Sequence, residues 1–231
     1  MSKFRFNITM TLDGYVAGPN QSVENGLGEG GERMHDWVVP LKTFREIHGD
    51  EGGGETGTND DVLRESFANI GATIMGRNMF GPDRGTWGDE PWKGWWGDTP
   101  PFHHPVFVLT HHAREPLAME GGTTFIFVTD GIESALRQAR EAAGGTDILL
   151  GGGASVAQQY LAAGLIDEME LHVVPLLLGG GERLLDNLEG SDVELEPIRT
   201  LEGPGVAHLK YRIGKKGASG TDGQRADPPK A

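Results

Sequence analysis

The chain has 231 residues, a length that suits one domain with a sizeable core, and its 34 acidic against 20 basic residues give a formal charge of −14. That balance argues against nucleic acid, whose phosphates need Lys and Arg to neutralise them, and against an anionic membrane surface. Cys is absent, which removes disulfides, zinc–thiolate sites and thiol catalysis, while the 37 glycines, roughly twice the usual share, point to many tight turns.

Phe4, Phe6, Ile8, Met10 and Leu12 alternate with polar residues, a period-2 strand that Asp13-Gly14 ends with a turn. Residues 18–58 are glycine-rich with weak periodicity and read as a lid-like insert, interrupted by a short helix near Pro40 to Ile47. Asn59 or Asp60 can cap a helix whose apolar face is Val62, Leu63, Phe67 and Ile70. Ala72 to Met75 is a short buried strand, and Gly81 to Pro101 is a loop carrying four of the five tryptophans. Further strands are expected at Pro105 to Thr110, Thr123 to Thr129, Ile148 to Leu150 and Met169 to Leu178. Helices are expected at Gly131 to Ala143 and Ala154 to Ala163, and a terminal hairpin at Val193 to Leu201 and Val206 to Ile213. The expected organisation is one domain over residues 1–213 followed by a disordered tail over 214–231, whose composition is polar and poor in apolar residues. The alternation predicts an α/β fold: a mostly parallel central sheet, helices on both faces and an antiparallel C-terminal edge. In such sheets ligands bind beyond the carboxyl ends of the strands.

Two strand ends carry chemistry. At Ile148 to Val156 a buried strand runs into Gly151-Gly152-Gly153 and then into a helix starting at Ala154-Ser155-Val156. Bare backbone and a helix start suit a pyrophosphate, although a tight turn alone would also need such glycines. At Ile74 to Phe80 a strand ends in Gly76 and Arg77 follows at once, a guanidinium placed for a phosphate monoester. Two such sites in one sheet fit a dinucleotide.

Taken in order, Ile8 to Val16, the Ile-Met-Gly-Arg segment at residues 74–77 and the glycine segment at residues 151–153 resemble the dihydrofolate-reductase-like superfamily over roughly residues 3–213. The Leu-Asp-Gly opening at Leu12 to Gly14 resembles the reductase domain of bifunctional riboflavin-biosynthesis proteins and its stand-alone homologues. This resemblance implies an NADPH-dependent reductase, cytoplasmic and homodimeric, acting on a pterin-like or aminopyrimidine-like heterocycle. A non-catalytic nucleotide-binding or sensor protein on the same fold is the alternative. By resemblance, Gly76, Arg77, Asn78, Met79, Thr110, His111, Arg114 and Gly151 to Val156 hold the cofactor, with Ile8 lining its nicotinamide and Trp37 flanking cofactor and substrate.

The remaining candidates are chemical. His172 lies on a central strand, and a nearby carboxylate from Asp60 or Asp61 would raise its pKa and make it a proton donor; a satisfied core histidine is the other reading. Asp13 either contacts substrate or forms the turn before Gly14. Trp87, Trp92, Trp95 and Trp96 either wall a substrate pocket, with Trp87 and Trp92 the named contacts, or pack on one another. His103-His104 and His111-His112 lack the carboxylate partners of a metal site, and no metal is expected.

Overall fold

The computed structural model describes residues 2–50, 52–82, 85–88, 92–191 and 193–214. The expected tail therefore lies, apart from Gly214, outside the described residues. In chain order the elements are β1 (Phe4–Thr11), β2 (Tyr15–Ala17), α1 (Lys42–Ile47), α2 (Thr58–Phe67), β3 (Ile70–Gly76), α3 (Arg77–Phe80), β4 (Pro105–Leu109), β5 (Leu117–Ala118), β6 (Thr124–Val128), α4 (Ile132–Ala142), β7 (Asp147–Gly152), α5 (Ala154–Ala162), β8 (Glu168–Val174), β9 (Glu182–Arg183), β10 (Glu194–Gly203) and β11 (Val206–Gly214). Nine strands form one sheet in the order β10-β11-β8-β1-β7-β3-β4-β6-β5, and β2 pairs with β9 apart from it. The run from β8 to β6 is parallel, and both edges are antiparallel. The strand expected to reach Leu178 stops at Val174. Beyond it Leu176 bonds back to Val174, and Leu12 donates to the Leu176 carbonyl.

Strand periodicity sorts the side chains into two faces. Phe4 and Phe6 of β1, Ala72 and Ile74 of β3, Ile148 and Leu150 of β7, and Leu171 of β8 pack in one cluster with α4 and α5. The opposite face is divided. Met75, Val106, Val108 and Phe125 pack under α3 and the tryptophan loop. Met34, Trp37, Leu41 and Leu63 pack over Val174 and Val206. The insert is thus tied down in its middle, where Met34 and Leu41 are buried. Its first part folds back on itself through Gly18 N–H to the Leu27 carbonyl and Glu29 N–H to the Pro19 carbonyl.

Beneath α2 the sheet face is polar. The odd residues of β8 face the apolar cluster, so Glu168, Glu170 and His172 face α2. Arg199 bridges Glu170 at 2.9 Å and Glu65 of α2 at 2.6 Å, and Lys210 reaches Glu65 at 2.6 Å. His172 pairs in register with His208 on β11, their Nδ1 atoms 2.9 Å apart. The Nε2 of His208 is 3.0 Å from Asn59 Oδ1, and Asn59 Nδ2 donates to the Pro204 carbonyl. Because Oδ1 only accepts, His208 carries its proton on Nε2 and His172 donates from Nδ1. Burial first, then His208 and Arg199, push the His172 pKa down to about 3. Burial and Arg199 push His208 down to about 4, and burial and His103 do the same for His104.

Arg5 ties α2 to the sheet. Its guanidinium donates to the carbonyls of Glu65, Ser66 and Ala68 at the end of α2 and pairs with Asp147 at 3.2 Å. Arg5→Met leaves those carbonyls and a largely buried carboxylate unmatched and is expected to lower unfolding free energy by about 2–4 kcal/mol. A urea midpoint unchanged by the substitution would contradict this role.

The buried histidines set a pH dependence. Their folded pKa values lie below the ordinary 6.5, so below that pH the unfolded chain takes up protons that the native state refuses. Stability is full above pH 6.5 and is lost as pH falls toward 4, by up to about 1.4 kcal/mol per pH unit for each histidine. Glu65, held down to about 2 by Lys210 and Arg199 against its burial, adds to the loss only below its ordinary 4.5. Denaturation at pH 7, 6 and 5 checks this: the midpoint falls across that range, and His208→Gln flattens the fall. A flat profile in the unsubstituted chain would contradict it.

Candidate functional site

Parallel strands all end on one edge, and there the structure opens a cavity of about 690 Å³. Its floor is made by the ends of β3, β4, β6 and β7 through Gly76, Leu109, Val128 and Gly151. The chain leaves β7 irregularly: the register with β3 shifts between Ile74↔Leu150 and Met75↔Gly152, leaving Gly151 as the extra residue. Gly152 and Gly153 then take φ of +136° and +90°, the conformation that favours glycine, and α5 starts at once. A Cβ on Gly76 would lie 2.9 Å from Val156 Cγ2, so a bare residue there lets α5 seat against the end of β3.

Two helices begin at the cavity wall. Gly131 precedes α4 and Gly153 precedes α5, and neither helix has a side-chain cap. N–H groups at the very start of a helix lack helical partners, although Val156 N–H already donates to the Gly153 carbonyl at 3.1 Å; Gly131, Ile132, Gly153, Ala154, Ser155 and Val156 all line the cavity. Arg77 lines it as well, its guanidinium carbon 3.7 Å from the centre of the Trp87 ring. Stacking on indole holds the guanidinium plane in place.

Of the expected cofactor residues, Ile8, Gly76, Arg77, Asn78, Met79, Thr110, His111, Gly151, Gly153, Ala154, Ser155 and Val156 come together on this cavity. Gly152 is not among its lining residues; a Cβ there would meet Met79 Sδ at 3.3 Å. Arg114 also lies off the cavity. It donates to the Trp92 carbonyl at 2.6 Å and lies over the same Trp87 ring at 4.7 Å and over Phe127 of β6 at 4.9 Å.

The expected substrate tryptophans need correcting. Trp87 donates to the His112 carbonyl and Trp92 to the Phe80 carbonyl, each packed into the loop's own core, while Trp95 and Trp96 line the cavity. Trp37 is buried one layer back, donating to Thr9 Oγ1 at 3.2 Å, and it is Thr9 that reaches the cavity.

None of the four expected catalytic residues lines the cavity. His172 is closed into the His208–Asn59 chain and beside the Trp37 ring, 5.0 Å away. Its neighbour in that chain is the His208 imidazole, itself bonded to an amide, rather than the expected carboxylate, and its pKa moves down rather than up. Asp60 accepts from Thr43 N–H at 2.7 Å and so caps α1. Asp61 pairs on the surface with Arg64. Asp13 accepts from the Thr11 hydroxyl and from the N–H groups of Leu178 and Gly179, which hold its carboxyl below the usual range and fasten the end of β1 to the loop after β8.

Thr9 and His35, neighbours of the expected Ile8 and Trp37, line the cavity, and so do Gln21, Glu32 and Glu182, which were not marked by the sequence. Gln21 lies in irregular chain, Glu32 and His35 on a 3₁₀ turn and Glu182 on the two-residue β9, elements too short to carry a period that gives direction. Among the described residues no cluster of three or more His, Asp or Glu is placed to hold a metal ion, and no helix is long and apolar enough to cross a membrane.

Comparison with known proteins agrees with this architecture. An uncharacterised protein of Bacillus subtilis, YyaP, is 25% identical over 211 residues, covering 89% of this chain and 92% of its own. A putative riboflavin biosynthesis protein from Shewanella sp. PV-4 superposes with a TM-score of 0.58 at 23% identity, covering 92% of this chain and 99% of that one. RibD of Acinetobacter baumannii superposes at 0.54 with 18% identity over 93% of this chain and 59% of its own. Dihydrofolate reductase of Enterococcus faecalis, solved as a complex with NADP(H), superposes at 0.50 with 14% identity, covering 92% of this chain and 97% of its own. Residues 2–207 match the RibD C-terminal domain family, and with the fold and the cavity in agreement, the chain belongs to that family.

Proposed function

We propose that the protein is an NADPH-dependent reductase of a small heterocyclic substrate of the pterin or aminopyrimidine type. The observation that carries this reading is the pairing, on one cavity wall, of two helix starts without side-chain caps and the stacked guanidinium of Arg77. A dinucleotide with a 2′-phosphate needs those groups: backbone N–H donors for its pyrophosphate and a fixed cation for the monoester. The bare backbone at Gly151 and Gly153 allows close approach, and Ile8 and Thr9 of β1 form the wall where the nicotinamide would lie. When bound, the nicotinamide supplies a hydride.

The chain's own residues then position and shield. Trp95, Trp96 and the insert cover the cavity from the aromatic side, which excludes water from the reacting centre. With His172 neutral and packed in the core, the proton comes through the cavity itself, by way of an ordered water. We propose in addition a cytoplasmic homodimer. Leu195 and Ile198 lie exposed on the edge strand β10, an edge that would otherwise be open to uncontrolled pairing.

Arg77→Ala should weaken NADPH binding by about 1.5–3 kcal/mol, the size of a charge-assisted phosphate contact, and leave NADH nearly unchanged. Calorimetric titration of both cofactors checks this, and equal losses would contradict the assignment. Oxidation of NADPH in the presence of pteridines or aminopyrimidines separates a reductase from a nucleotide-binding protein without turnover: the reading predicts turnover. Sedimentation should give twice the chain mass of 24.8 kDa; a monomer at micromolar concentration would contradict the dimer.

A further inference from the structure

Sheet order sets one lining residue apart from the groups assigned to the cofactor. β7, β3, β4 and β6, whose ends carry Arg77 and the starts of α4 and α5, all lie on one side of β1, and β8 and β11 lie on the other. Met34 and Trp37 pack over Val174 at the end of β8 and over Val206 of β11. The 3₁₀ turn Glu32–His35, which carries Met34, also packs against β1 itself. The turn therefore stands on β1 and β8, across β1 from Arg77 and the two helix starts. His35 ends it and lines the cavity. Met34 before it is fully buried, and Trp37 two residues on donates to Thr9 Oγ1 at 3.2 Å, so the imidazole is held from both directions along the chain.

The two ring nitrogens of His35 differ. Nδ1 is buried without a hydrogen-bond partner. Among the described residues Nε2 has no partner either, but it is not sealed from solvent, and it is the nitrogen open to the cavity. A proton on Nδ1 would be an unmatched donor inside the packing, so the ring carries its proton on Nε2. Burial pushes the pKa down, with Asp36 opposing, and the ring stays neutral. In this tautomer His35 offers the cavity one N–H donor and no acceptor.

A carbonyl oxygen matches that donor. An amino group in its place sets donor against donor in a site shielded from water, and both are left unpaired. Pterin-type and aminouracil-type rings have a ring carbonyl in common. We propose that His35 Nε2–H donates to the ring carbonyl of the substrate, and that the site thereby selects oxo-heterocycles over analogues that carry an amino group at that position. The inference rests on the reductase reading and narrows its substrate class. His35 orients the ring and supplies no proton, in keeping with its neutral state.

The test uses the full chain saturated with NADP⁺ and two matched pairs of probes. One is a hydroxymethylpterin and the analogue in which an amino group replaces its ring carbonyl. The other is a diaminouracil and the tetraaminopyrimidine in which amino groups replace both carbonyls. Binding is read by calorimetry. In at least one pair the oxo member is expected to bind about tenfold or more tightly than its amino analogue. His35→Ala should abolish that preference with NADP⁺ affinity unchanged, and His35→Gln, which restores an N–H donor, should recover part of it. In the chain labelled with ¹⁵N-histidine, the His35 ring should show the Nε2–H tautomer, and its N–H signal should move when the oxo probe is added. Equal or tighter binding of the amino analogues in both pairs, no saturable binding of either oxo probe, or a preference that survives His35→Ala overturns the proposal. Failure of NADP⁺ itself to bind removes the reductase reading, and this inference falls with it.

Discussion

Six neighbouring parallel strands, β8 through β6, must all finish on the same edge of the sheet. At that edge the backbone has to leave the sheet; β6 and β7 turn there into α4 and α5, and no ladder partner remains for the first free N–H groups of those helices. At β7 the turn is made by glycines with positive φ, which brings α5 against β3 with Val156 seated over the bare Gly76. The rest of the site follows from this constraint. The uncapped helix starts, the bare glycines and Arg77 just beyond β3 are gathered by strand direction, although the chain places them more than seventy residues apart.

The two faces of the sheet divide the labour. Under α4 and α5 the packing is apolar and continuous, which makes the cavity floor rigid. Under α2 the contact is polar, built of ion pairs and the His172–His208–Asn59 chain. Removing one member of such a network leaves others buried and unmatched, so the network fixes α2 in one position rather than adding much net stability. Through Trp37 and its bond to Thr9 it also backs the wall of the cavity. A histidine that reads as a proton donor in the chain is, in the fold, a neutral link in that backing layer.

Much of the fold was legible because its signals are local. The alternation at Phe4 to Leu12, the glycines after Ile148 to Leu150 and the helix over Ala154 to Ala162 depend only on neighbouring residues. The short strands β2, β5 and β9, of two or three residues, carry no period to read. The strand-end glycines and Arg77 were legible for the same reason as the strands. Gln21, Glu32 and Glu182 were not: a loop, a 3₁₀ turn and a two-residue strand carry no period, and their direction is set by tertiary packing. The misreading of His172 has a long-range cause. Its partner His208 arrives by antiparallel pairing with β11, and Asn59 comes from α2, so no spacing along the chain reveals that its environment is closed and without a carboxylate.

The central claim is that the strand-end edge, with the starts of α4 and α5 and the segment after β3, is where the dinucleotide binds. Amide hydrogen exchange with and without NADP⁺ tests it most directly. The account predicts slowed exchange at residues 76–79, 109–111, 131–134 and 151–156, with no change in β8 or β11 beneath α2. Protection confined to the β8, β10 and β11 side of the sheet, or none at saturating NADP⁺, would contradict it.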